Sequence, residues 1–225
     1  MILANYFKVP TINDLLLINS NVKLVLFDID GTLVDTEHEH ALAVIDVLKS
    51  QGNKSFNDQE VMNIVYGCPD PYSYEVLKQK FSLSLPINDF LEQKHLALEK
   101  ILEQTKTKDN PVLAEIKHLV DSIKNHTLGI TQAVVTASER KTAQAVLSTN
   151  FNGMFKQFFG REDTLLSKPF PDPYLNAFKV MSDSVGPFKK EEVLLVEDSP
   201  YGLASGISSG FPVLKASWYT KKSLR

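Results

Sequence analysis

Leu24-Val25-Leu26-Phe27-Asp28-Ile29-Asp30-Gly31-Thr32 is an apolar run that ends in two aspartates and a turn. Val, Leu and Phe at this density read as a buried strand, and Asp30-Gly31 makes the chain turn where the strand ends. Both carboxylates are therefore expected at a strand's carboxyl end. Period-two alternation puts Asp28 and Asp30 on one side, where like charges coexist only with a cation or a shared proton. An ordinary hairpin turn beside a solvated aspartate is the competing reading of this motif alone.

Downstream, residues 36 to about 107 are almost entirely helical in pattern, with apolar positions at Leu42, Ile45, Leu48, Phe90, Leu91, Leu98, Ile101 and Leu102. Asn57 and Glu60 form a capping box before a short helix, Gly67 ends it, and Pro86 opens the longest helix. Beyond Pro111 helix and strand alternate. A helix with Val112, Ile116, Leu119 and Ile123 on one face precedes a strand over 133–136, a helix over 138–149 and a short strand over 155–159. A helix from Pro173 and strands over 193–196 and 211–214 complete the pattern. Such alternation predicts a parallel sheet covered on both faces. The helical block falls between the first two strands, so it reads as a domain (36–110) inserted over the strand ends of a core (1–35 and 111–225). Two short connections, at Thr36 and at 108–111, would let it move as a lid. Residues 1–20 read as an apolar lead-in with a short helix near 12–18.

With 225 residues, 43% of them hydrophobic, the chain has material for one large domain or two modest ones. The 24 basic residues are scattered among 27 acidic ones for a net charge of -3, which excludes a nucleic-acid footprint. Cys68, the lone cysteine, cannot form an internal disulfide, and between Gly67 and Pro69 it reads as a loop residue. A cytoplasmic location fits. The opening residues have no positive n-region, and Lys8, Pro10, Asn13 and Asp14 break their apolar stretches, so neither export nor membrane association is expected.

Ligands of open parallel sheets bind beyond the carboxyl ends of the strands, and polar residues cluster at three further such places. Thr136-Ala137-Ser138 offers a hydroxyl and then N–H groups at a helix start, suited to an anion, although helix capping is the alternative. Val193-Leu194-Leu195-Val196 runs into Glu197-Asp198-Ser199-Pro200, two adjacent acids where Mg²⁺ could sit; capping by Asp198 or Ser199 is the alternative. Between them, Ser167-Lys168-Pro169-Phe170-Pro171-Asp172-Pro173 presents one lysine on a loop stiffened by three prolines. That cation would let a carboxylate nucleophile and a phosphate approach each other.

Asp28-x-Asp30-Gly31-Thr32, Thr136, Lys168-Pro169 and Glu197-Asp198, in this order, resemble the haloacid dehalogenase superfamily of phosphohydrolases over residues 22–36 and 111–215. The resemblance implies an α/β fold with a Rossmann-like parallel-sheet core, and a C1 cap for the all-helical insert. It implies Asp28 as nucleophile and Asp30 as general acid and base, with Thr136, Ala137 and Lys168 holding the phosphoryl group. Asp28, Asp198 and the carbonyl of Asp30 would ligate Mg²⁺, supported by Glu197. Halide-cleaving members lack the second aspartate and need no metal, so Asp30 argues against dehalogenation. The expected function is a Mg²⁺-dependent phosphatase, monomer or weak dimer, acting on a small phosphorylated metabolite through an aspartyl phosphate.

Two alternatives stay open. Residues 28–36, His40 and Glu197-Asp198 are similar to the β-phosphoglucomutase branch, which would make the protein a sugar phosphomutase with His40 reaching the cleft. After Gly67, however, Cys68-Pro69-Asp70 stands where those mutases carry a cap arginine. The other alternative is a phosphate-binding regulatory protein on the same fold. His38 and His40 are two apart and cannot make an adjacent-turn zinc pair. Tyr66, Tyr72 and Tyr74 are candidates for the substrate face of the cap, with packing in its core as the commoner role of aromatics at such spacing.

Overall fold

The computed structural model describes residues 1–52, 56–105 and 110–219. Its backbone divides into Met1–Val34 with Asn110–Arg225, and Asp35–Asp109. Part of the expected hinge at 108–111 lies outside the described residues.

In the first unit, β1 (Ile2–Tyr6), β2 (Leu24–Phe27), β3 (Thr131–Val135), β4 (Phe158–Phe159), β5 (Val193–Glu197) and β6 (Val213–Ala216) form one sheet. Its order is β1-β6-β5-β2-β3-β4, and every pairing is parallel. β2 is central, with Phe27 opposite both Val134 and Val196. All four of its residues are buried, as a sheet covered on both faces requires. On one face Leu24, Leu26, Ala133, Val135, Val193 and Leu195 pack with Tyr174, Ala177 and Met181 of the helix Asp172–Ser184. Phe27 meets the edge of Phe155 at 6.0 Å. The helix Pro111–Lys124 packs against β3; Asn110 caps it by accepting from the amides of Val112 and Leu113, with Pro111 in the first turn. From β2 the chain proceeds to β3 and β4 on one side, then crosses to β5 and β6 on the other. This reversal is the switch point where such sheets open a crevice.

Three local expectations change. Ile2–Tyr6 is a strand, parallel to β6 at the sheet edge; its pairing partner is at the far end of the sequence, so no local pattern announces it. The strand expected over 155–159 shrinks to Phe158–Phe159, because Phe155 packs between Phe27 and Phe151. The last strand starts at Val213, after Pro212, which has no N–H for a ladder. The short helix falls at Ile12–Ile18, where it was expected, opened by a Thr11/Asp14 capping box.

The second unit holds the helices Glu37–Ser50, Asp58–Val65, Asp70–Phe81 and Ile87–Thr105. Val44, Leu48, Val61, Leu77 and Phe90 centre its core. Asn57 caps the second of these helices through the Gln59 amide at 2.9 Å, while Glu60 pairs with Lys80 at 2.6 Å. Tyr74 packs on Phe90 and donates its hydroxyl to the Leu85 carbonyl at 2.7 Å, which makes it a core residue. Tyr66 and Tyr72 are exposed. Among the described residues no helix is long and apolar enough to cross a membrane.

Candidate active site

β2 ends at Phe27, and the Asp28 amide adds one more ladder bond, to the Val196 carbonyl at 3.0 Å. The chain then folds back. The amides of Thr32, Leu33 and Val34 all donate to the Ile29 carbonyl (3.2, 2.8 and 3.1 Å), and the Gly31 amide donates to Val34 at 2.8 Å. Gly31 has φ +81°, and a Cβ there would lie 2.1 Å from Asp198 Oδ2. Glycine is thus required twice over, by conformation and by space. Gly31→Ala is expected to lower the unfolding free energy by about 1–3 kcal/mol. Urea unfolding measures this, and an unchanged midpoint would mean that the turn relaxes freely.

Lys168 is 2% exposed. Its Nζ donates to Asp28 Oδ1 at 2.7 Å, to the Val135 carbonyl at 2.9 Å and to Glu197 Oε1 at 2.5 Å. All three ammonium protons are therefore directed. Glu197 is fully buried. Its Oε1 also accepts from the Tyr174 hydroxyl at 2.8 Å, and its Oε2 accepts from the amides of Asp198 and Ser199 at 3.0 and 3.3 Å. Gly202, in the helix Pro200–Ser209, leaves room for this carboxylate, since a Cβ there would fall 1.8 Å from Glu197 Oε1. Ser199 caps that helix by accepting from the Gly202 amide at 3.0 Å. Asp198 instead accepts from the Thr32 hydroxyl at 3.2 Å.

The electrostatics follow from burial. Desolvation pushes the Asp28 carboxyl well above the usual carboxylate range; Lys168 opposes this, while Glu197 and Asp30 add to it. For Lys168 burial pulls the other way, but Asp28 and Glu197 outweigh it and hold the ammonium well above its ordinary value. Asp28, Glu197 and Asp198 each offer a carboxylate oxygen, and these oxygens all lie within 4.8 Å of one another. Such a set of hard anionic oxygens suits Mg²⁺.

Asp30 faces a different partner. The Ser138 hydroxyl donates to Asp30 Oδ2 at 2.7 Å, and the Ser138 amide donates to Thr136 Oγ1 at 3.0 Å. Thr136 is buried and Ala137 half-buried, in the loop that follows β3. One expectation fails here. The next helix starts at Arg140, not 138, and the Arg140 amide donates to the Glu162 carboxylate at 2.9 and 3.2 Å. An anion of the protein's own thus occupies that helix start, and the loop 136–138 remains as the candidate for an external one. His40 is half-buried in the helix Glu37–Ser50 of the second unit, and His38 Nδ1 lies 3.2 Å from the Tyr66 hydroxyl. The sequence places Ser138 in the anion loop but does not show its bond to Asp30, and it gives Tyr174 no role. The spacing of Ser138, two residues after Thr136 in a strand-end loop, could have found it; Tyr174 carries no signal, because an aromatic in an amphipathic helix reads as core.

The family profile described as haloacid dehalogenase-like hydrolase matches residues 25–216. PpaX of Caldanaerobacter subterraneus subsp. tengcongensis is 30% identical over 200 residues, covering 88% of this chain and 82% of the relative. The phosphoglycolate phosphatase of Aquifex aeolicus is 26% identical over 200 residues, covering 88% and 85%. The crystal structure of CbbY from Rhodobacter sphaeroides in complex with phosphate has a TM-score of 0.73 at 22% identity, with 89% of each chain covered, and so shares the fold.

Proposed function

This chain belongs to the haloacid dehalogenase-like hydrolases, and we propose that it is a Mg²⁺-dependent phosphatase that hydrolyses a small phosphate monoester through an aspartyl phosphate on Asp28. The reading rests on one observation: Lys168 Nζ stands 2.7 Å from Asp28 Oδ1, inside a cluster that includes Glu197 and Asp198. Attack of one anion on another is the obstacle in this chemistry, and a buried cation beside the nucleophile lowers it. The phosphoglycolate phosphatase among the relatives supports the same reaction class.

Asp28 attacks phosphorus as the bond to the leaving oxygen breaks, and Asp30 gives that oxygen a proton. Asp30 then takes a proton from the water that attacks the aspartyl phosphate, which frees Asp28 and inorganic phosphate. The Ser138 hydroxyl orients Asp30 for both steps. Lys168, anchored by Glu197 and the Val135 carbonyl, directs its remaining proton toward Asp28 and an arriving phosphoryl oxygen. Thr136 and Ala137 receive the others. Asp28, Asp198 and the Asp30 carbonyl would hold Mg²⁺, with Glu197 supporting from the adjacent position. When bound, the ion neutralises charge on the phosphoryl oxygens. We read the helical unit as the cap that selects the substrate, with His40 as its candidate residue.

Arginine is absent from residues 1–139. The helical unit therefore has no guanidinium fork for a second phosphate, which favours hydrolysis of a monoester over mutase chemistry. Phosphate release from sugar, nucleotide and amino-acid phosphates, phosphoglycolate and pyrophosphate, with Mg²⁺ or with EDTA, tests the reading. Mg²⁺-dependent turnover of a monoester is expected. Faster conversion of β-glucose 1-phosphate to glucose 6-phosphate with a bisphosphate primer would make the protein a mutase, and binding without release would make it a regulator. Asp198→Ala should raise the Mg²⁺ concentration for half-maximal activity by about 10- to 100-fold. An unchanged metal titration removes Asp198 from the metal site.

A further inference from the structure

The single tryptophan of the chain, Trp218, is buried just after β6. Its indole N–H donates to the Thr32 carbonyl at 2.9 Å, and the hydroxyl of the next residue, Tyr219, donates to the Leu33 carbonyl at 3.3 Å. Thr32 and Leu33 belong to the turn that carries Asp30, whose amides already converge on Ile29. The turn's own donors are thus spent, and two of its consecutive carbonyls find theirs 186 residues away. The donor segment is itself tied down. Ser217 donates its amide to the Tyr6 carbonyl at 2.8 Å and its hydroxyl to Asn5 Oδ1 at 2.7 Å. An indole N–H is a donor and nothing else, so Trp218 has this one polar task.

We propose that Trp218 and Tyr219 are positioning residues for phosphoryl transfer, a clamp that fixes the Gly31–Leu33 turn. Through that turn they aim the Asp30 carboxyl and the Thr32 hydroxyl, which in turn holds Asp198. The inference rests on the acid and base reading of Asp30 given under the proposed function. Removing a donor leaves a buried carbonyl unsatisfied, and the turn shifts to find water.

Trp218→Phe removes the N–H and keeps an aromatic ring; Tyr219→Phe removes one hydroxyl and keeps the packing. On an alkyl phosphate, kcat should fall about tenfold in the first and about threefold in the second, since misplacing a reacting group by a fraction of an ångström is enough. KM should stay within about twofold, and the burst with p-nitrophenyl phosphate, whose leaving group needs little protonation, should slow less than intermediate formation from the alkyl phosphate. Hydrogen exchange of the Thr32, Leu33 and Val34 amides should quicken while β3 and β5 stay protected. Unchanged exchange in folded Tyr219→Phe, or equal slowing of intermediate formation from both substrates, overturns the clamp; this variant decides the matter if Trp218→Phe does not fold. Asp30→Asn run in parallel separates the two readings. If that variant shows no dependence on the leaving group, the acid and base reading fails, and exchange alone judges the clamp.

Discussion

Asp28→Asn is expected to reduce turnover by about 10⁴- to 10⁶-fold, the scale on which removal of a covalent nucleophile acts, while the protein stays folded. The amide keeps the shape of the carboxylate and an oxygen for Lys168, which retains Glu197 and the Val135 carbonyl as further acceptors. It lacks the charge and the nucleophilic lone pair needed to attack phosphorus. Stability should hold for an electrostatic reason. Burial, with Glu197 and Asp30, outweighs Lys168 in disfavouring the charged form of Asp28, so a neutral isostere relieves more than the lost ion pair costs. Single-turnover phosphate release and thermal unfolding together check this. Substantial remaining turnover would remove Asp28 as nucleophile.

For Asp30→Asn the effect should depend on the leaving group. A departing alkoxide needs a proton, so formation of the intermediate from an alkyl phosphate should slow by about 10²- to 10⁴-fold. p-Nitrophenolate leaves without help, but water attack on the aspartyl phosphate still lacks its base. The variant should therefore release a rapid burst of p-nitrophenol and then turn over slowly. The substituted side chain's amide oxygen can still accept from the Ser138 hydroxyl, as Asp30 Oδ2 does, so the turn itself is not at stake. Equal impairment with both substrates and no burst would end the acid and base assignment.

The parts of the molecule legible in the sequence are those governed by local pattern. The run Leu24–Phe27 is apolar because parallel strands are buried on both faces, and Gly31 is where the backbone needs a positive φ. The helical block is legible from its 3.6-residue period, and the parallel sheet from alternating strands and helices. The structure brings Asp28, Lys168, Glu197 and Asp198 together at the ends of β2 and β5 and the loop before the helix Asp172–Ser184. What stays hidden depends on register between distant segments. β1 is a strand because β6 lies beside it. Tyr174 looks like core until Glu197 is found against its hydroxyl. The start of the helix Arg140–Asn150 looks like an anion site until Glu162 is found on its first amide. A single sequence shows which residues are polar at a strand end, not which of them already have partners.

The strands made first pair with those made last: β1 with β6, and β2 with β5. A growing chain therefore carries the wholly apolar Leu24–Phe27 with no lateral neighbour until Thr131–Val135 emerges, and with one open edge until Val193–Glu197 follows. Unpaired edges of this kind invite aggregation, so this interval is when the chain most needs shielding. The helical unit faces no such wait, because its core residues, from Ala41 to Leu91, lie close together in the sequence. Synthesis thus delivers the helical piece early and the charged centre last. Lys168 and Glu197 reach Asp28 only as the sheet closes, and a stalled ribosome holds an unfinished sheet rather than a partly active enzyme.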